Sequence, residues 1–302
     1  MTNELLRYVV ITPARDEADN LPRLADSLRG QTLQPLMWLI VDNGSSDGTP
    51  QVVDTLATEL DWVRAMRVAG SDSLVRGGTV TRAFHAGLRG LETLPEIVVK
   101  VDADVSFPPD YFARLLAVFA AEPRLGISSG VCLERSSQGD WRPRFGSGES
   151  AWGAARAYRR ECLADVLPLE DRMGWDGIDS LRASLQGWLT VTLPDLSFRH
   201  YRREGERDGS RRRAWAAQGR ASHYMGYRWW YLVARALHHT RKDPAAVAML
   251  AGFAQAALRR EPRCSDERVR RHLREQQTLR TLPMRLRETR GQVRGPSPGI
   301  GR

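Results

Sequence analysis

Short apolar runs alternate with amphipathic stretches through the first two thirds of the chain, and this alternation constrains the fold more than any other feature. Tyr8 to Thr12, Met37 to Val41, Val63 to Val68, Ile97 to Val101 and Leu125 to Leu133 are brief, apolar and rich in β-branched residues, as buried strands are. Between them, Asn20 to Arg29 places Leu21, Leu24, Ala25 and Leu28 on one helical face, and Asp47 to Leu60 does the same with Val52, Val53, Leu56 and Leu60. Thr79 to Leu91 and Pro109 to Ala121 also read as helices, the latter with proline in its first turn. Strand and helix in strict alternation predict an α/β fold, a mainly parallel sheet flanked by helices. Such sheets take ligands at the carboxyl ends of their strands.

Three of those ends are polar. The first strand runs into Pro13-Ala14-Arg15-Asp16-Glu17, and the second into Asp42-Asn43-Gly44-Ser45-Ser46-Asp47-Gly48-Thr49. The fourth runs into Asp102-Ala103-Asp104. Residues two apart in an extended chain project to the same side, so Asp102 and Asp104 converge just past a buried strand. Two close carboxylates repel unless a cation lies between them, and all-oxygen ligation suits Mg²⁺ or Mn²⁺. Asp42 is placed to accept hydrogen bonds from a base or ribose, while Gly44 and Gly48 suit a tight turn.

In this order, Val10-Ile11-Thr12-Pro13-Ala14-Arg15-Asp16-Glu17, then Val41 to Thr49, then Val101-Asp102-Ala103-Asp104 resemble the family 2 glycosyltransferases of the GT-A fold, over roughly residues 7 to 200. The resemblance implies inverting, metal-assisted transfer of a sugar from a nucleoside-diphosphate donor to an acceptor hydroxyl. It places Thr12, Pro13, Arg15 and Glu17 around the base and ribose, with Asp42 on the base. Asp104 becomes the principal metal ligand, with Asp102 nearer the ribose or joining the metal through water. Arg76-Gly77-Gly78-Thr79 precedes a helix, as a glycine-containing turn does in the family, and is expected to meet the diphosphate. His85 stands where the family has asparagine, a departure that leaves that helix face unassigned. Counting back from Gly187-Trp188 sets Asp176 over the family's acceptor-site aspartate, with Trp175 in place of its glutamate. Asp176 is therefore the expected general base, and Asp179 the alternative. His200, after the last strand, is expected to complete the metal or phosphate site.

Composition narrows the remaining classes. The 302 residues are 42% apolar and 27% charged, suiting a soluble globular protein. Cys132, Cys162 and Cys264 match neither a zinc pattern nor a disulfide framework, so a reducing, cytoplasmic setting is expected. No secretory signal is evident, and no run reaches the ~18–20 apolar residues of a membrane span. The domain reading is a catalytic unit over 1–201, an arginine-rich loop and helical region over 202–290, and a disordered tail over 291–302. Arg202, Arg203, Arg207, Arg211, Arg212 and Arg213 crowd the start of the second unit and account for much of the net charge of +9. A basic loop over Gly205 to Arg213 is positioned to close over a diphosphate. The stretch Tyr224 to Leu237 reads as one aromatic helix, packed on the domain or lying at a membrane interface. The second placement implies a lipid-linked acceptor and peripheral contact with the inner face of the membrane.

Two rival classes fit less well. A sugar-phosphate nucleotidyltransferase wants a glycine-rich basic loop after the first strand, where this chain has Pro13 to Glu17. A nucleic-acid-binding protein would set its phosphate backbone against the carboxylates of the sheet edge.

Overall fold

The computed structural model describes residues 6–70, 77–136, 138–144, 151–202, 210–241 and 243–278. Arg76, most of the basic loop, Pro283 and the tail over 291–302 lie outside them.

The five strands anticipated from the sequence are β1 (Tyr8–Ala14), β2 (Met37–Asn43), β3 (Val63–Val68), β4 (Ile97–Val101) and β6 (Leu125–Arg135); β5 (Val105–Ser106), β7 (Trp141–Pro143), β8 (Ala155–Arg159) and β9 (Leu189–His200) complete the sheet. The strand order is β3-β2-β1-β4-β8-β6-β9-β5, with β7 on β6. The first four pair in parallel, whereas β8 runs antiparallel between β4 and β6, so the second half of the sheet is mixed.

Side chains alternate across this sheet as its pleat requires. Tyr8 and Val10 of β1, with Ile97, Val99 and Val101 of β4, enter one core under α1 (Leu21–Arg29), α2 (Thr49–Glu59) and α4 (Tyr111–Ala121). Val9, Ile11 and Val98 enter the other, under α3 (Gly78–Arg89), α5 (Arg160–Val166) and α6 (Trp175–Leu185). α4 buries Phe112, Leu115, Leu116 and Phe119 completely or nearly so, each worth roughly 1.5–3 kcal/mol of burial.

The helical region comprises α7 (Arg211–Met225), α8 (Trp229–Thr240), α9 (Ala248–Leu258) and α10 (Glu267–Gln276), with a 3₁₀ turn at Pro244–Val247. α7 and α9 touch backbone to backbone: a Cβ at Gly219 would fall 2.0 Å from the Met249 carbonyl oxygen, and one at Gly252 equally close to that of Ala216. The region is fastened to the sheet domain by a third core, in which Ile178 and Leu181 of α6 meet Tyr224, Met225, Val269 and Leu273.

Two local expectations change. The aromatic stretch 224–237 is two helices, because Gly226 takes a left-handed conformation (φ 84°) and caps α7. The last strand does not stop short of His200. It runs to His200 through a register shift beside Gly130, where a Cβ would lie 2.7 Å from the Leu196 carbonyl oxygen.

Candidate active site at the carboxyl edge of the sheet

Parallel pairing of β1, β2 and β4 brings their polar exits to one edge. After β4 the backbone N–H of Asp102 donates to the Ala154 carbonyl (2.8 Å), and β5 pairs with the end of β9, with Val105 opposite His200. Tyr201 N–H donates to the Asp104 carbonyl at 2.9 Å. This pairing sets His200 Nε2 3.4 Å from Asp104 Oδ1. Ligand atoms of Asp102, Asp104 and His200 all lie within 4.8 Å of one another.

A cleft of about 670 Å³ opens above this trio. Of the residues expected from the sequence, Pro13, Arg15, Glu17, Asp102, Asp104, Asp176 and His200 line it. Three others do not. Thr12 is wholly buried, and its hydroxyl accepts the Trp38 indole N–H at 2.9 Å, fixing β1 to β2. Asp42, buried as well, accepts from Ser45 N–H (3.1 Å) and Ser45 Oγ (2.6 Å), so its carboxylate shapes the turn that presents Asn43 to the cleft. Asp179 is sealed in the protein. Its oxygens accept from Arg156 at 3.0 and 2.5 Å and from the Tyr158 hydroxyl at 2.6 Å. Arg156 Nη2 also donates to the Asp176 carbonyl at 2.9 Å. Asp179 therefore holds the first turn of α6, which in turn presents the Asp176 side chain.

Charge at the cleft floor is closely matched. Lys100 donates to Asp102 and, at 2.8 Å, to the Gly153 carbonyl, with its ammonium 5.5 Å from the Trp175 ring centroid. Arg202 grips Glu17 with both terminal nitrogens, at 2.9 and 2.8 Å, and lies 3.5 Å from Asp104. Desolvation holds the Asp102 carboxyl above the ordinary range, with Lys100 opposing the shift and Asp104 adding to it. Burial disfavours charge on His200, but the pull of the neighbouring Asp104, Cys132 and Glu134 outweighs it and raises the imidazole. A divalent cation would relieve both stresses, and the carboxylate–carboxylate–imidazole donor set fits Mn²⁺ or Mg²⁺. Burial pushes the Asp179 carboxyl up to about 6 despite its Arg156 partner.

The amino end of α3 faces the same cleft through Gly77, Thr79 and Val80. Gly77 has φ 87°, and a Cβ there would lie 2.8 Å from the Arg172 carbonyl carbon, so only glycine lets this helix start so close to the 171–173 loop. His85, further along α3, accepts the Leu169 N–H at 3.1 Å. Its pKa is lowered, chiefly by burial, which suits a neutral tie between α3 and that loop.

The profile of glycosyl transferase family 2 matches residues 9–163, just over half of the chain, from β1 through the metal trio's first two acids to α5. The chain belongs to glycosyltransferase family 2. Polyprenol monophosphomannose synthase of Mycolicibacterium smegmatis is 30% identical over 207 residues, 62% of this chain and 76% of the relative. Undecaprenyl-phosphate mannosyltransferase of Micrococcus luteus is 36% identical over 123 residues, 40% of this chain and 48% of the relative, so the match spans about half of that protein. Among solved structures, mannosyltransferase PcManGT of Pyrobaculum calidifontis, in complex with GDP-Man and Mn²⁺, superposes with a TM-score of 0.58 at 18% identity, covering 94% of this chain and 84% of that one. S. aureus TarS 1–349 with UDP-GlcNAc gives 0.53 at 18% identity, over 72% and 66%. At these identities the structures establish the shared GT-A architecture.

For this glycosyltransferase the sequence reading missed Lys100, Arg202 and Trp175 as shapers of the site. Lys100 had a signal: it is a cation inside the otherwise apolar strand Ile97–Val101. Arg202 had none beyond being one arginine among many, since its partner Glu17 lies 185 residues away.

Proposed function

We propose that this glycosyltransferase moves a mannosyl or related sugar from a nucleoside-diphosphate donor to a polyprenyl phosphate. The donor half of the reading is carried by one observation: Asp102, Asp104 and His200 converge within 4.8 Å on the floor of a cleft whose rim offers a helix amino terminus and Arg202. When bound there, a divalent cation would neutralise charge growing on the departing diphosphate. The α3 amino terminus supplies backbone N–H groups to the same phosphates. Arg202, held by Glu17 through both terminal nitrogens, stands beside Asp104 and brings a positive charge to where a phosphate would lie. Lys100 opposes the desolvation of Asp102 and holds its carboxylate in place. The acceptor oxygen attacks the anomeric carbon from the face opposite the diphosphate, the bond from that carbon to the phosphate oxygen breaks, and its electron pair leaves with the nucleoside diphosphate.

The acceptor half is supported by the names of the two curated relatives and by the helical region. Four of the five exposed large apolar side chains among the described residues are Trp229, Leu237, Val247 and Leu258, at 70%, 61%, 57% and 84% exposure. Val247, at the end of the 3₁₀ turn, continues into Ala251, Ala254 and Leu258 of α9 as an exposed stripe at helical spacing. Residues 211–260 carry ten Lys or Arg against the single carboxylate Asp243. No described helix is long and apolar enough to cross a membrane. An apolar stripe ringed by cations is the pattern of a helix lying on an anionic bilayer. α8 also sends Arg235 to the cleft, beside Tyr227, which links that surface to the site.

A phosphate acceptor is an anion at neutral pH and needs no base, so Asp176 would then orient the acceptor. A second reading, transfer to a hydroxyl with Asp176 as general base, is favoured by the place of its carboxylate in the cleft wall, next to Gly153. The test is transfer of labelled mannose from GDP-mannose with Mn²⁺ to undecaprenyl phosphate or to a sugar alcohol. Product with the phosphate alone supports the first reading; product with the alcohol alone overturns it.

A further inference from the structure

A second constellation lies on the far side of the same histidine. Cys132 and Glu134 are two residues apart on β6 and so share a face. Glu134 is in register with His200 of the neighbouring β9. The ligand atoms of Cys132, Glu134 and His200 lie within 4.8 Å of one another, as close a grouping as the Asp102–Asp104–His200 trio. The two trios use opposite edges of one imidazole: Nε2 faces Asp104 at 3.4 Å, while Nδ1 faces Glu134 Oε1 at 3.6 Å. Nδ1 is buried and has no hydrogen-bond partner among the described residues. Leaving such a nitrogen unsatisfied is costly unless a proton turned toward Glu134 or a bound ion satisfies it. Cys132, although buried, lines the cleft, so an ion has a route to its sulfur.

We propose that Cys132 Sγ, the Glu134 carboxylate and His200 Nδ1 form a second cation site, selective for thiophilic ions such as Zn²⁺ or Cd²⁺, whose filling switches off the oxygen-rich site. A thiolate–imidazole–carboxylate set is a zinc donor set, and zinc outranks manganese on nitrogen and sulfur ligands. On binding, the Cys132 thiol loses its proton to solvent and a metal–sulfur bond forms. The neutral His200 ring then carries its one proton on Nε2 and points an N–H at Asp104, where a lone pair is wanted. In the active state the tautomer is reversed. Nε2 faces the Asp104 site, and Nδ1–H is directed at Glu134, the carboxylate–histidine–metal arrangement that orients metal-binding imidazoles. Glu134 thus serves one state as hydrogen-bond acceptor and the other as ligand.

The site and the switch separate experimentally, because only the switch rests on the donor reading. The full chain is titrated with CdCl₂ without nucleotide, and the near-ultraviolet thiolate-to-cadmium absorption is followed. The expected result is saturation at one equivalent, loss of the band in Cys132→Ser, and its retention in Cys264→Ser. Glu134→Gln should weaken Cd²⁺ on the order of 10–100-fold. Circular dichroism of Cys132→Ser checks that it folds. A band that is absent, or that survives in Cys132→Ser, overturns the site. For the switch, GDP binding in Mn²⁺ is measured by calorimetry with and without one equivalent of Cd²⁺. Weakening of at least about tenfold in the wild type and none in Cys132→Ser is expected. Equal GDP affinity with and without Cd²⁺ overturns the switch. GDP that fails to bind even without Cd²⁺ overturns the donor reading and the switch with it, while the cadmium band still decides the site.

Discussion

The sheet domain and the helical region solve opposite problems. In the first, charge is taken inside: Arg156 with Asp179, Lys100 with Asp102 and Glu17 with Arg202 are buried or half-buried pairs, the first and last made between residues that the fold, and not the local chain, brings together. In the second, apolar surface is left outside: α8 buries only Leu232 and Ala236, while Trp229 and Leu237 face outward. A buried charge network specifies geometry, because each member is costly without its partner. An exposed apolar and cationic surface specifies a partner, because nothing within the described chain satisfies it. On the proposed function, the sheet domain performs the chemistry and the helical region finds the acceptor.

The sharpest way to break the contrast is to unpair a buried charge. Asp179→Ala leaves the Arg156 guanidinium sealed without its counter-ion and should cost roughly 3–5 kcal/mol of stability, read as a fall in denaturant midpoint. A loss below about 1 kcal/mol would mean that the pair behaves like a surface one. Arg202→Ala strips Glu17 and Asp104 of their shared cation. It should raise the donor KM on the order of 10–100-fold, and Arg202→Lys should recover only part, since a point charge cannot grip Glu17 with two parallel bonds. Full recovery by lysine would remove the case for the fork.

The helical side is tested by losing binding without losing stability. Trp229→Ala combined with Leu237→Ala should weaken sedimentation with anionic vesicles by about tenfold or more, each buried side chain contributing roughly 1.5–3 kcal/mol. Thermal stability should move by less than that of a core variant, because neither side chain is packed. A large drop in melting temperature with unchanged vesicle binding would make the helix an ordinary structural element. The smallest effect is expected at Asp176. Asp176→Asn should slow transfer to undecaprenyl phosphate by less than about tenfold, whereas a loss of 10²–10⁴-fold would restore the general-base role.

Legibility followed the same division. β1, β2, β4 and their polar exits could be read because a buried strand is written in contiguous apolar residues and its exit in the residues that follow. Asp102 and Asp104 were placed at the sheet edge on that basis, and Asp176 by its spacing from Gly187-Trp188 in the family resemblance. β8 could not be read: Ala-Arg-Ala-Tyr-Arg carries no apolar alternation, and it is buried because Arg156 finds Asp179. Thr12 and Asp42 show the converse. Their types and positions suit ligand contact, yet Trp38 and Ser45 claim their hydrogen bonds. The break at Gly226 was visible as a glycine inside an aromatic run, but periodicity alone favoured one helix.

The donor site itself is most directly tested by calorimetry of GDP with the Asp104→Ala chain in Mn²⁺, against the wild type and against both proteins in EDTA. The geometry predicts that wild-type binding requires the ion, and that Asp104→Ala binds weakly and identically with Mn²⁺ or EDTA. Binding by Asp104→Ala as tight as wild type and still dependent on Mn²⁺ would contradict it.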